Sequence, residues 1–511
     1  MKHKKRTVCN TCRRRKLGCD GKLPGCSQCS LSGYTCDGYA TSWTFIQQGS
    51  GSFDQNPNNG KHHEQLAAPV QIKRRDNSPR LIKVIPESPV AHFTPSLQQE
   101  ISFSPTIHHL LTVIVESYLP ESERNPSTVA VATGHSRQHP RICGTWVEVL
   151  YELPCLAHTN SLLSKAVTAL VAAVLTSVCI SRQSISEPYL LAIRSLRKTL
   201  ENGVGRTQEL IPAVMCLILV EVMIPNASVA LDAHLNAVGA FFHSAGPEAC
   251  RTGLLHRLFV GFRPLMIIHA IQTRQPTFLS LPAWNDIPFS DIAPSIMQAF
   301  FNEFVHLSSL LCQMDGLGLA VDSQPTIQSE IEQQVLLSLF ADLSARLDHW
   351  EYTLTTSSFS YGRYHHHSHE AIDDDDHRPI SYPNVTMANI FTHLWAFQII
   401  TLREMTILIT ALSGTISLSP SPSPSSPSSP EDCAAVLARN ISLSMDYLLK
   451  EDMGLFGPAS SYFPLRVAWE VLKGGGDQFD GARVKRSVDR LVTRGLLSAP
   501  TLVFGPELEL H

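Results

Sequence analysis

Six cysteines fall within the first 36 residues of the chain, and their spacing restricts what this end can fold into more than any other feature. Cys9 and Cys12 form a close pair, and Cys19 follows after six further residues. Cys26, Cys29 and Cys36 then repeat the same intervals. One half-unit is therefore written twice. The basic opening runs straight into this cluster with no apolar stretch behind it, so a secretory leader is not expected and the thiols are expected in a reducing compartment. Closely paired thiolates in such a compartment suit a soft-ligand tetrahedral metal, above all zinc.

Ligand arithmetic narrows the site further. One tetrahedral zinc needs four thiolates and two independent ones need eight, so six match neither. Two zinc ions both reach four-coordination if two of the cysteines serve both metals. The repeat assigns that bridging role to the first cysteine of each half, Cys9 and Cys26. A segment this short buries too little surface to fold alone, so binding of the two Zn2+ supplies its folding energy.

Charge separates this head from the rest. Residues 1–40 hold nine Lys or Arg against Asp20 and Asp37, a formal +7, and the remaining chain is left at −11. A short basic head on a long acidic body points to a polyanionic partner for the head. Part of the basic charge, Arg13, Arg14, Arg15 and Lys16, is packed between the second and third cysteines.

With its basic run "CRRRKLGC" and with Pro24 in "LPGC", the six-cysteine spacing resembles that of the fungal zinc binuclear-cluster transcription factors. The resemblance covers residues 9–36. It implies two short helices, the first of which points its end into the DNA major groove, and a base-reading role for Lys16 with Arg15 beside it. The resemblance also implies CGG-like triplets as targets, and the chemistry agrees, since a lysine donates to guanine O6 and N7 while carbonyls at a helix end accept from cytosine N4. Arg13, Arg14 and Lys22 are expected at phosphates, where they add affinity and salt dependence but little sequence information. Lys2, Lys4, Lys5 and Arg6 read as a nuclear-import patch.

Residues 41–104, rich in Gly, Ser, Asn, Gln and Pro, are expected to be a flexible linker without a sustained heptad pattern. From 105 to 505 the apolar spacing turns helical. "TIHHLLTVIVESYLP" stops at Pro120, a buried helix starts near Asn160 or Ser161, and "EPYLLAIRSLRKTLENG" closes at Gly203. Two tracts interrupt this body as disordered insertions, near 356–382 (His365, His366, His367, His369 and His377 beside four aspartates) and near 413–432 (serine-proline pairs at Ser419, Ser421, Ser423, Ser426 and Ser429). The apolar stretches 166–180 and 211–224 fall short of the roughly 20 residues a membrane span needs, so core helices are expected and no membrane partner.

The body also resembles the α-helical regulatory domain found behind such clusters, through "YLLAIRSLRKTL", "LDAHLNAVGAFFHSAGPEAC" and "SSYFPLRVAWEVL". That implies a small-molecule effector or co-regulator; separately, because one triplet offers few base contacts, a homodimer through the helical body or extended linker contacts are expected on DNA. The fold class expected is a small binuclear zinc-cluster domain at 1–40, a disordered linker, and a large all-α regulatory domain. The body's seven cysteines (Cys143, Cys155, Cys179, Cys216, Cys250, Cys312 and Cys433) carry no paired spacing and read as buried hydrophobes. No nucleophile elbow, P-loop, dinucleotide fingerprint or zinc-protease pair occurs, so an enzyme is not expected. The competing reading is a metabolite-binding or enzymatic helical protein in which the cluster is only a structural knob.

Overall fold

The computed structural model describes residues 10–15, 17, 19, 26–32, 34, 36, 105–124, 142–153, 161–178, 183–202, 207–225, 228–317, 327–356, 379–413, 429–474 and 478–505. They belong to two compact units, Met1–Pro79 and Arg80–His511. The stretch read as a linker, 41–104, lies outside the described residues. So do 357–378, with the His/Asp run, and 414–428, with four of the five serine-proline pairs.

In the first unit two helices of five residues, Asn10–Arg14 and Ser27–Leu31, each start one position after the leading cysteine of a pair. Helices this short do not persist in water on their own hydrogen bonds. Here they are fastened at the cysteines: Cys12, Cys26 and Cys29 are buried, and Cys19 and Cys36 pack against them.

The second unit is all-helical, with no strand among the described residues. Its first helix, Pro105–Tyr118, ends ahead of Pro120. Leu162–Val178 starts at Ser161, whose hydroxyl accepts from the Ser164 amide at 3.1 Å. This helix packs against Gln183–Asn202 and Thr207–Met223. The small side chains of Ala166, Ala169 and Ala173 are fully covered there and let the backbones close up.

A second group is built on Val385–Ser413, which packs against Ile327–Thr356 and Pro430–Leu448; Tyr462–Leu472 then packs on Pro430–Leu448. The first half of Val385–Ser413 is buried all round, from Met387 to Ile399. Two of its side chains donate to Ile327–Thr356: Trp395 Nε1 to Glu351 at 3.0 Å, and Gln398 to both Asp348 and Glu351. One continuous apolar core spans both groups.

Two close approaches fix how elements meet. Gly261 on the helix Gly253–Gln272 lies against the Trp146 side chain, where an added Cβ would stand 2.7 Å from the indole. Gly454 has φ +57° and abuts the carbonyls of Tyr118 and Leu119. Arg494 then ties the same turn down by donating to the carbonyls of Leu449, Lys450 and Gly454.

By length and apolarity alone two helices are long enough to cross a membrane, Gly253–Gln272 and Val385–Ser413. Neither is one of the stretches weighed from sequence, and both help to form the core of the second unit. The first holds Arg263 fully buried, donating to the side chains of Asn285, Gln298 and Asn302. The second carries Glu404 in an ion pair with Arg274. Residues 166–178 and 211–223, within the stretches weighed from sequence, fall in core helices.

Candidate metal centre and nucleic-acid interface

The pseudo-repeat in the cysteines is a pseudo-repeat in the backbone. The Leu17 amide donates to the Cys12 carbonyl at 3.0 Å, and seventeen residues on the Tyr34 amide donates to the Cys29 carbonyl at 3.0 Å. In each half the chain thus closes its single helical turn at the second cysteine of the pair and bends back to present the third, Cys19 or Cys36.

The two halves meet through sulfur. Cys12 Sγ lies 3.6 Å from Cys26 Sγ and 3.8 Å from Cys29 Sγ, and all three sulfurs fall within 4.8 Å of one another. Zinc–sulfur bonds of about 2.3 Å in a tetrahedron put neighbouring sulfurs about 3.8 Å apart, so the donor set fits that metal. A disulfide, with sulfurs about 2 Å apart, does not fit these separations. Three buried thiolates at such range repel one another unless a cation lies between them. Cys26 also caps the second helix by accepting the Cys29 amide on its sulfur at 3.3 Å. Its thiol therefore faces both halves, toward Cys12 of the first and Cys29 of the second. Cys9 lies outside the described residues.

The basic face is partly described. Arg14 and Arg15 are exposed at the end of the first helix, while the Arg13 side chain, Lys16, Lys22 and Pro24 lie outside the described residues. Arg15 stacks its guanidinium on the Tyr34 ring, 3.8 Å from the centroid. Sequence reasoning passed over Tyr34. Its signal was the seventeen-residue register, which sets an exposed aromatic where the first half has Leu17.

In the second unit the described cysteines do not cluster. Cys216 and Cys250 are buried, and Cys143, Cys312 and Cys433 are partly buried. Burial pushes the Cys143 and Cys250 thiols up to about 12 and Cys216 higher still, so these thiols are inert hydrophobes. Cys155 and Cys179 lie outside the described residues.

No curated protein and no solved structure matches the chain. Residues 7–43 match the fungal Zn(2)-Cys(6) binuclear cluster domain, a family of DNA-binding transcription regulators that holds two zinc ions on six cysteines, and the buried thiols of this head are its metal centre.

Proposed function

We propose that this chain is a nuclear, sequence-specific regulator of transcription by RNA polymerase II that reads CGG-like triplets through its zinc cluster, with a helical regulatory body at 105–505. The observation that carries the reading is the coincidence of the family match over residues 7–43 with three buried thiols at zinc spacing. Cys9 and Cys26 bridge the two metals. Lys16 donates to guanine, and Arg13, Arg14 and Lys22 hold the phosphates on either side. Arg15 serves next to Lys16 from its seat on Tyr34, since a stacked guanidinium keeps its in-plane N–H groups for an acceptor. One triplet offers few base contacts, so a homodimer through the helical body supplies the second.

The test uses the full-length protein. Zinc per chain is counted, and bound sequences are selected from a random duplex pool at near-physiological salt. Two zinc ions and enrichment of one or two CGG-like triplets are expected, with Lys16→Ala lowering discrimination against a scrambled site by about 1–3 kcal/mol. Two zinc ions with an unenriched pool sink the triplet reading. Unchanged discrimination in Lys16→Ala removes that residue from its role.

A further inference from the structure

The second unit contains a cavity of about 160 Å³ whose walls come from both ends of the sequence. Helix Gly253–Gln272 contributes Leu265 and Gln272, which are exposed and mark the mouth. Helix Val385–Ser413 contributes Asn389 and His393, which are 3% and 2% exposed and mark the buried side. The remaining walls are almost wholly aliphatic and aromatic. Among the described residues that line it there is no Lys, Arg, Asp or Glu.

Asn389 and His393 stand one turn apart, and the fold settles what His393 presents. His393 Nδ1 lies 2.7 Å from the Asn389 carbonyl, which accepts and never donates. The proton therefore sits on Nδ1, and Nε2 is left as an acceptor. Burial holds this ring down at about 4, so the neutral form persists at physiological pH. The Ser460 hydroxyl lies 2.7 Å from both the Asn389 side-chain oxygen and the Gly457 carbonyl, so its single proton serves two acceptors and the Asn389 amide is free to turn either end to the cavity. Among the described residues His393 Nε2 and one end of the Asn389 amide have no hydrogen-bond partner. Buried polar atoms of this kind are ordinarily satisfied. Here an imidazole acceptor and an amide that can donate or accept border an apolar cavity.

We infer that this cavity is a binding site for a small uncharged molecule, with one ring or a short branched chain, that carries a hydroxyl or carboxamide for the Asn389–His393 pair. Size sets the first limit: a cavity of about 150 Å³ with aliphatic and aromatic walls takes one benzene. Charge sets the second. A carboxylate or an ammonium group would lose its hydration with no Lys, Arg, Asp or Glu in the described lining; His269, which does line it, lies 3.5 Å from Asp232, and its pKa is held below the ordinary value by burial. Polarity sets the third, because a hydrocarbon alone leaves both polar atoms unmet. The occupant would join helices that lie far apart in sequence, and the site stands independently of how the head reads DNA.

Zinc-loaded full-length protein is titrated with benzamide, benzyl alcohol, toluene, benzoate and benzylammonium, without DNA, by saturation-transfer NMR with thermal melting alongside. Benzamide and benzyl alcohol are expected to bind about fivefold more tightly than toluene, the worth of one neutral hydrogen bond. Benzoate and benzylammonium are expected not to bind. Asn389→Leu should erase the preference for benzamide over toluene. Leu265→Trp, a change at the exposed mouth that leaves the core packing alone, should abolish binding of every probe while the melting temperature of the free protein holds. Absence of neutral-probe binding, equal affinity for toluene and benzamide, or undiminished binding in Leu265→Trp overturns the assignment.

Discussion

Arg15 rests on the face of Tyr34, its guanidinium carbon 3.8 Å from the ring centroid, and so a residue of the first cysteine half-unit is clasped by one from the second. At an exposed site such a contact contributes about 0.5–1 kcal/mol. That is small for a domain but large for a segment whose order depends on metal.

Replacing Tyr34 by Ala is therefore expected to speed zinc loss to a chelator by about two- to fivefold, with the equilibrium stoichiometry still at two ions per chain. Tyr34→Phe should leave the rate unchanged, since the ring face is kept. A chelation rate in Tyr34→Ala equal to that of the native chain would show that the clasp contributes nothing to the cluster.

Cys26 lies against Cys12 of the first half and caps the helix of the second. Changing it to Ser is expected to release both zinc ions, whereas changing Cys36, which packs at the edge, should spare one. Metal counting after gel filtration decides. The thermal transition of the helical unit should be unmoved in both variants, because that unit has its own core.

Glu221 is buried, accepts from the Tyr189 hydroxyl, and lies 3.9 Å from His234 Nδ1. Desolvation pushes its carboxyl up from 4.5 to about 7. Below pH 4.5 the folded and unfolded chains both hold this proton, and the group costs nothing. As pH rises through 7 the fold must ionise a buried carboxyl, so this group's contribution falls. Glu221→Gln keeps the acceptor for Tyr189 and should raise stability at pH 8 by about 2–3 kcal/mol, with the gain vanishing near pH 4.5. Burial acts oppositely on His234 and His393, which are lowered to about 4 and cost stability as pH falls from 6.5 toward 4. Melting curves of the variant and native chains at both ends of this range separate the two effects. A pH-independent difference between them would refute the assignment to Glu221.

Gly454, at φ +57° and ψ −149°, occupies backbone space that other residues rarely enter, with the Leu119 carbonyl oxygen 2.6 Å from the site of a Cβ. Gly454→Ala is expected to destabilise the helical unit by about 3 kcal/mol. Denaturant midpoints test this, and a change near zero would mean that the turn is free to refold around the methyl group.

Metal chemistry explains why the head was legible in sequence. Six ligands within 28 positions leave few arrangements that satisfy two tetrahedra, and the intervals alone state the answer. Helical spacing likewise announced the body, and Ser161 marked a helix start that the structure places at Leu162. The cavity had no such signature. Its walls run from Tyr118 to Leu502, and in the sequence Asn389 and His393 sit within a run of apolar residues that gives no hint of which polar atoms stay unmet. The same holds for Arg263, whose burial among three amide side chains depends on how distant turns pack. Local spacing encodes ligands and helices, while convergence of far-apart positions is decided only by tertiary packing.

The backbone correspondence between the two cysteine half-units has one more consequence. Since Leu17 closes on Cys12 just as Tyr34 closes on Cys29, the scaffold itself is nearly two-fold and has no preferred front. What breaks the tie is four consecutive side chains: Arg13, Arg14, Arg15 and Lys16 in one half against Ser30, Leu31, Ser32 and Gly33 in the other. On the proposed reading, those four positions weigh most in the direction in which the head straddles a duplex, alongside Lys22 and the seat that Tyr34 gives Arg15.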